Sequence, residues 1–585
     1  MWKKKIITSA LPYPNGPLHL GHVAWVYLPA DIYFRYCKAL GEEVIHVCGT
    51  DDHGVALELA SEKYGKPVSE LVGEYRESYK KWMEKMGIEF SIFYGTDTPQ
   101  HEEIVHDFFR KLYHQNLLEE RVIKQMYCNT DNKFLPDRYI IGTCPKCKTP
   151  GANGDQCESC GSMIDPETLI DPHCKTCGGN NLELKESKHL FFLLDKFQNN
   201  LKERLETKSD WKQNVLSTSL GKWIKDSLQP RCYTRDIKCG ISVPLEGFEE
   251  KTIYVWFEAP IGYISITKKY FDDLGKPELF EQYWKDPETE LIEFIGKDNI
   301  VFHSIIRPSL LMAYNNGVNK DGETNNTPYL LPTNIPANEF VNLEGKKFST
   351  SRGRAVRLND IVENYNPDYI RYYLTSIIPE NQDSDFKRKE FQDKCNNLCD
   401  TLGNLFSRVM NLCIKYCDGK FESFDSVESY IAGLDPQLQS LITDFVWHSL
   451  TANTTIIWHL RQFQFREGQL ALMDSFSAAN KFVNDTKPRE LVKTDLVASQ
   501  KILGILGWYL VTSAYTMEAY LPFTSKTLID TLVSPETKKN NNIGNIQNHV
   551  NWDYLTIVDK PEYLFIKITD EQMEQEMNKL TETIA

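Results

Sequence analysis

Two imidazoles one helical turn apart, in His19-Leu-Gly-His22, stand where an apolar strand gives way to a Pro/Gly/Asn turn and a helix. At the positive end of a helix such rings can donate hydrogen bonds to phosphate oxygens. Gly21 removes a side chain where a flat base could approach the backbone. Alone, a tetrapeptide of this kind more often marks structural histidines. A second candidate is the basic stretch Lys346-Lys-Phe-Ser-Thr-Ser-Arg352, inside a segment (345–357) with five basic side chains and no acidic one. By itself that stretch is more often a solvated loop.

The cysteines carry a stronger signal. Seven of the fifteen fall between Cys128 and Cys177. Cys144-Pro-Lys-Cys147 and Cys157-Glu-Ser-Cys160, nine residues apart, have the spacing of two knuckles that close a tetrahedral Zn²⁺ site. Such a site is structural, because no ligand position stays open. Cys128, Asp131, Cys174 and Cys177 offer three thiols and a carboxylate as a second, weaker set, which resembles a knuckle in which Asp131 stands for one cysteine; the alternative is three free thiols in a collapsed knuckle. Cys395/Cys399 and Cys413/Cys417, four apart in helical sequence, read as buried or incidental thiols.

These groups need a scaffold. The pattern of an apolar strand over Lys5–Thr8, a helix from about Leu20 and a second strand over Glu43–Cys48, ending in Gly49-Thr50-Asp51-Asp52-His53-Gly54, predicts a doubly wound α/β sheet. Ligands of such sheets bind at the carboxyl ends of the strands, where both loops lie. The pattern breaks near residue 118 and resumes at Thr252-Ile-Tyr-Val-Trp and Leu291-Ile-Glu-Phe-Ile-Gly, so an insertion interrupts one nucleotide-binding domain. From about 390 to 530, long amphipathic segments predict a helical bundle. Residues 539–548 read as a loop before a C-terminal segment that packs back or extends.

The length suggests roughly three or four domains. Composition, at 41% hydrophobic and 25% charged, is that of an ordinary soluble protein. No signal-peptide core or unbroken apolar run of membrane length is present, which predicts a cytoplasmic protein with no membrane partner. A net charge of −15 argues against a general nucleic-acid coat but leaves room for a local basic patch.

Together, His19-Leu-Gly-His22 and Lys347-Phe-Ser-Thr-Ser351 resemble the signature pair of class I aminoacyl-tRNA synthetases. Four further stretches resemble the methionyl enzymes of that class: Ala10-Leu-Pro-Tyr-Pro-Asn-Gly16, Phe134-Leu-Pro-Asp-Arg138, Tyr254-Val-Trp-Phe-Glu-Ala-Pro-Ile-Gly-Tyr263 and Phe294-Ile-Gly-Lys-Asp-Asn-Ile-Val-Phe-His303. The resemblance implies activation of L-methionine with ATP, with Mg²⁺, and transfer to tRNA(Met); with no appended C-terminal tRNA-binding domain evident after about residue 560, a monomer is expected. It places Leu11, Tyr13, Trp256, Ala259, Pro260, Tyr263 and His303 around methionine, with Asp51 receiving its ammonium. Aromatic walls suit a polarizable thioether. A pocket that discriminates by one methyl rejects homocysteine poorly, and the family's cyclisation of that by-product is implied here. For ATP, the resemblance assigns Asn15, His19, Gly21, His22, Gly296, Asp298, Lys347 and Thr350, with His19, His22 and Lys347 as the catalytic set. Asn404 and Arg408 match its anticodon readers.

Two positions depart from the family pattern. Thr350 stands where a second lysine is usual, leaving Lys346, Lys347 and Arg352 to share its task. Arg489, in Lys487-Pro-Arg489, stands where tryptophan is usual; its guanidinium could stack on a base instead. The expected organisation is a Rossmann-like catalytic domain (1–117 and 236–328) split by a zinc-bearing insertion (118–235). A stem-contact region (329–388) and an α-helical anticodon domain with a C-terminal segment (389–585) follow. Three rival readings remain at this point. Another class I synthetase is disfavoured by the Trp256/Tyr263 set, and a non-aminoacylating nucleotidyltransferase by the helical region. A tRNA-binding protein without catalysis is suggested only by Thr350.

Overall fold

The computed structural model describes residues 4–154, 157, 164, 166–316, 328–347, 356–422, 424–533, 555–556 and 563–574. They form two compact units, one built from 1–17, 47–81 and 90–337, the other from 18–46, 82–89 and 338–585.

A five-stranded sheet has the order Ala337–Asn338, Thr289–Gly296, Lys4–Ser9, Glu43–Thr50 and Ile92–Gly95. Lys4–Ser9 runs parallel to Thr289–Gly296, with Ile6 opposite Leu291 and Ile7 opposite Ile292. Val47–Thr50 runs parallel to Ile92–Gly95. Ile6, Ile7, Leu291 and Ile292 are all fully buried, as near-continuous apolar strands covered on both faces must be. Each such side chain contributes about 1.5–3 kcal/mol through burial.

The insertion opens with Leu118–Cys128, which pairs antiparallel with Leu182–Phe192 along its whole length. A smaller sheet of Ile140–Thr143, Ala152–Asn153 and Ile170–Cys174 shares a core with Leu135, Tyr139, Cys144, Cys157 and Cys174. One expectation is corrected here. Thr252–Ile253 does not rejoin the parallel sheet; it pairs antiparallel with Thr234–Arg235. A helix starts at Val255, so the β-branched run is too short to cross the sheet. The return is made by Thr289–Gly296.

The second unit contains the helix from Leu20 to Ala39, a three-stranded sheet of Lys346–Lys347, Val341–Leu343 and Ser384–Phe386, and the helical region. Pro436–Arg461 and Phe465–Thr486 form a hairpin. Asp435 caps the first helix by accepting from the Gln437 and Leu438 amides at 2.9 and 3.3 Å, with Pro436 at the first helical position, a sequence-readable start. Leu496–Met517 is long and apolar enough to cross a membrane by length and composition. Yet Ile502 through Met517 are all buried, so it is the central helix of this region. The C-terminal segment packs back: Tyr369 stacks on Phe565, and Leu555–Thr556 pairs with Lys420–Phe421. Arg371, fully buried, is anchored by Asp31 and donates to the carbonyls of Met86, Gly87, Ala519 and Tyr520.

Candidate active site and metal centres

In the first unit, the loops after the Lys4–Ser9, Glu43–Thr50 and Thr289–Gly296 strands converge. The Ala10 amide donates to the Phe294 carbonyl at 3.0 Å, and the Asp51 amide to the Pro12 carbonyl at 3.0 Å. The Tyr79 hydroxyl pins the first loop through the carbonyls of Tyr13 (3.0 Å) and Gly16. Asp51, 3% exposed, sits at this junction and its Oδ1 has no hydrogen-bond partner. Burial, and then the negative charges of Glu258 and Asp52, push its carboxyl well above the usual range. A cation brought to Oδ1 would reverse that.

The neighbouring acids each have a cationic or imidazole partner, although Asp52 Oδ1, like Asp51 Oδ1, accepts no hydrogen bond. Asp52 accepts from the Thr96 and Asp97 amides at 2.6 and 3.0 Å and pairs with Arg76 at 2.5 Å. Glu258 accepts from His53 at 2.9 Å and His101 at 2.7 Å. Burial alone would raise its carboxyl, but those two imidazoles hold it at about 2. Among these three acids Asp51 is the one with no basic side chain paired to it. His53 and Glu258 lie inside motifs already singled out, but their pairing across the chain could not be read from either.

The residues singled out for an amino-acid pocket come together. Trp256 stacks on Phe302 at 4.0 Å between ring centres and meets Tyr13 edge-on at 6.2 Å. The Tyr263 hydroxyl lies 3.0 Å from His303 Nε2, and His303 Nδ1 lies 3.0 Å from the Asn299 carbonyl. A carbonyl only accepts, so Nδ1 carries the proton and Nε2 accepts from tyrosine. Burial lowers His303 to about 3, leaving it neutral. Ala259 and Pro260 are buried in a single 3₁₀ turn. A Cβ on Gly262 would sit 3.1 Å from Leu11 and 2.9 Å from Thr96, so this glycine lets the Leu11 loop close on the wall. Gly296 ends its strand and is buried, while Asp298 and Asn15 are exposed.

In the second unit, the rings of His19 and His22 stack at 3.7 Å. His22 Nδ1 accepts from the His19 amide at 3.3 Å, which leaves the proton of the neutral ring on Nε2. Burial lowers His22 to about 4, and burial with the nearby His22 lowers His19 well below its ordinary value. A Cβ on Gly21 would lie 2.8 Å from the His19 ring and from Trp25. The glycine is therefore required by the packing of these rings themselves. The Leu20 amide donates to the Val356 carbonyl at 3.1 Å, and His19 bridges Arg357. The histidine motif and the far end of the basic segment are thus adjacent. Lys347 lies on a short strand opposite Asn342. Residues 348–355, including Thr350 and Arg352, lie outside the described residues, as does Cys160.

The helix from Leu20 contains a wide π turn at Val23–Tyr27, and a second such turn, Phe302–Ile306, contains His303. Turns of this kind recur at functional sites.

Among the described residues, two clusters could hold a metal ion: Cys128, Asp131, Cys174 and Cys177, and Cys144, Cys147 and Cys157. Cys128 and Cys177 sulfurs are 3.7 Å apart, and Cys147 and Cys157 sulfurs 3.6 Å. A tetrahedral site with Zn–S bonds of about 2.3 Å needs sulfurs about 3.8 Å apart. The amides of Asp131 and Gly179 each donate to a cysteine sulfur at 3.4 Å, which stabilises thiolates. Asp131 Oδ2 lies 3.0 Å from the Cys174 sulfur and 3.7 Å from that of Cys128, so the donor set fits a metal.

On the helical region, Asn404 and Arg408 are exposed on one helix face, with Arg408 donating to Asn484 at 3.0 Å. Arg489 is exposed on the short helix Pro488–Leu491.

A parallel sheet with ligand loops at its carboxyl edge, a cysteine-bearing insertion and a helical second unit is the architecture of a class I tRNA synthetase. A family model described as "tRNA synthetases class I (M)" matches residues 5–410. The chain is 39% identical over 591 residues to a methionine–tRNA ligase of Bacteroides fragilis, covering 100% of this chain and 81% of the relative. It is 38% identical to one of Pyrococcus furiosus, covering 97% and 76%. A solved Mycobacterium tuberculosis methionyl-tRNA synthetase bound by methionyl-adenylate shares the fold, with a TM-score of 0.75, 20% identity and coverage of 96% and 100%. The chain belongs to the methionyl family of class I tRNA synthetases.

Proposed function

We propose that this chain is an ATP-dependent methionine–tRNA ligase. It joins the methionine carboxylate to the α-phosphate of ATP, taken as its Mg²⁺ complex, releases pyrophosphate, and passes the methionyl group to the terminal ribose of tRNA(Met). The observation that carries this reading is Asp51, a buried carboxylate with an unpartnered oxygen beside a neutral, aromatic pocket. That combination suits a ligand with an ammonium and an uncharged thioether.

The roles follow. Asp51 holds the ammonium, and Leu11, Tyr13, Trp256, Ala259, Pro260, Tyr263 and His303 enclose the side chain. His19 and His22 donate to phosphate, and Asn15 also serves ATP. Gly296 leaves room for adenosine, Asp298 takes the ribose hydroxyls, and the segment with Lys347 and Thr350 meets the departing pyrophosphate. Little covalent chemistry falls to the protein; positioning and electrostatic stabilisation carry the step. Asn404, Arg408 and Arg489 read the anticodon. In this reading the catalytic halves are 1–117 and 236–328, the insertion 118–235, the stem-contact region 329–388 and the anticodon region 389–585, in a cytoplasmic monomer. Amino-acid-dependent ATP–pyrophosphate exchange across all twenty amino acids tests the reading. Methionine alone should support rapid exchange, and a preference for leucine, valine or cysteine would overturn it.

Both cysteine clusters hold Zn²⁺ structurally in this reading, the first with Cys144, Cys147, Cys157 and Cys160, the second with Cys128, Asp131, Cys174 and Cys177. Elemental analysis after exhaustive dialysis should return two zinc ions per chain, and Asp131→Ala should return one. A ratio of one in the unaltered protein leaves the mixed thiolate–carboxylate site empty. A metal-free protein that folds and aminoacylates normally removes both.

A further inference from the structure

Behind the aromatic pocket lies a buried ion pair. Arg307, 1% exposed, pairs through Nη1 with Glu293, fully buried in the Thr289–Gly296 strand. The same guanidinium donates through Nε to the Pro260 carbonyl at 3.1 Å. Its carbon lies 5.5 Å from the centre of the Tyr263 ring and 5.6 Å from that of Trp284. One side chain therefore grips two members of the pocket wall, Pro260 by its backbone and Tyr263 by its ring face. Tyr263 passes the constraint to His303 through its hydroxyl.

Stability does not account for this pair. A buried ion pair is repaid only when its remaining donors and acceptors are satisfied. Here Glu293 Oε2 and Arg307 Nη2 are both without a partner, and each such atom costs about 1–3 kcal/mol. Apolar residues of similar volume would fill the space at lower cost. What they could not supply is a fixed donor for the Pro260 carbonyl and a positive charge beside His303. That charge adds to burial in keeping the imidazole neutral.

We infer that Arg307, held by Glu293, is a positioning residue that sets the shape and polarity of the amino-acid side-chain pocket, and with it the preference for an uncharged side chain of thioether size. Arg307 acts through Pro260, Tyr263 and His303 rather than on the substrate. The inference rests on the reading of this pocket as the methionine site.

The test compares the unaltered enzyme with the double variant Glu293→Leu/Arg307→Met, which removes both charges without stranding either. Methionine-, ethionine- and norleucine-dependent pyrophosphate exchange are measured, with the ATP KM and the Tm. The double variant should fold with a Tm no lower than that of the parent and keep its ATP KM within about twofold. Its methionine KM should rise about 10-fold, and its preference for methionine over ethionine should fall about 10-fold, the scale of one methylene in an apolar pocket. Arg307→Lys keeps the charge but cannot hold Glu293 and the Pro260 carbonyl together, so it should lose part of the same selectivity. A folded double variant with the parent's methionine KM and selectivity overturns the inference. If the double variant does not fold, unchanged selectivity in Arg307→Lys overturns it instead. Absence of methionine-dependent exchange in the parent overturns the underlying reading, a distinct result.

Discussion

Asp51→Ala should abolish methionine-dependent adenylate formation at ordinary substrate concentrations while leaving the fold intact. Removing one partner of a desolvated charge pair costs about 3 kcal/mol or more, roughly a 10²-fold loss of methionine affinity. The free enzyme should respond in the opposite sense. A carboxyl whose folded value is raised above its unfolded value binds its proton more tightly when folded, so stability is lost as pH rises between those two values. Burial, Glu258 and Asp52 raise Asp51 in this way, so near neutral pH the ligand-free protein carries a penalty. Asp51→Asn, close in shape and uncharged, should therefore unfold at a higher temperature than the parent and lose methionine binding. Isothermal titration with methionine and thermal unfolding in its absence separate the two effects. Methionine affinity within about threefold of the parent in Asp51→Ala, roughly 0.6 kcal/mol, would remove the assignment.

Lys347→Ala should cut the rate of adenylate formation by about 10²-fold or more, as for loss of one electrostatic stabiliser of a transition state. A contact made only in the transition state lowers kcat and kcat/KM together and leaves methionine KM nearly unchanged. Lys347 lies opposite Asn342 on a short strand, so its backbone has a fixed register. Thr350→Lys restores the residue usual in the family and should accelerate activation, or be neutral if Arg352 already fills the role. Thr350→Ala with Arg352→Ala distinguishes these outcomes. Single-turnover adenylate formation at saturating ATP and methionine is the measurement, and a parental rate in Lys347→Ala would reduce the basic segment to a solvated surface feature.

The parts legible in the sequence are those with local causes. The strand over Lys5–Thr8 extends by one residue at each end, and that over Glu43–Cys48 by two at its carboxyl end, because apolar runs bounded by polar turns announce themselves. Knuckle spacing brought Cys144, Cys147 and Cys157 together for the same reason. The helical region was readable from amphipathic segments, and Cys395, Cys399 and Cys413 are buried there, as their helical spacing suggested. Thr252–Ile253 misled because a short β-branched run looks the same in a two-stranded ribbon as in a central sheet. His53 with Glu258, His101 with Glu258, and Arg307 with Glu293 were not legible as pairs. Each joins residues on different elements, and neither partner carries a periodic mark of the other. At Gly21 the His19 ring and Trp25 lie where a Cβ would stand, a packing cause that the tetrapeptide does not display. Only the packed structure distinguishes a glycine that admits a ligand from one that admits a neighbour.

Two wide turns, Val23–Tyr27 after His19 and His22 and Phe302–Ile306 around His303, make these helices sensitive to counting. A π turn accommodates one residue more than an α turn, and each α-helical residue advances the helix by about 100°. Deleting a single residue from either turn would let the helix relax into regular geometry while rotating everything on one side of the deletion relative to the other. His22 would then face away from its present direction, or His303 away from Tyr263, although no functional side chain had been altered. Alignment gaps in these two segments thus carry more meaning than substitutions there. Any attempt to move the site to another scaffold must carry the supernumerary residue along with the histidines.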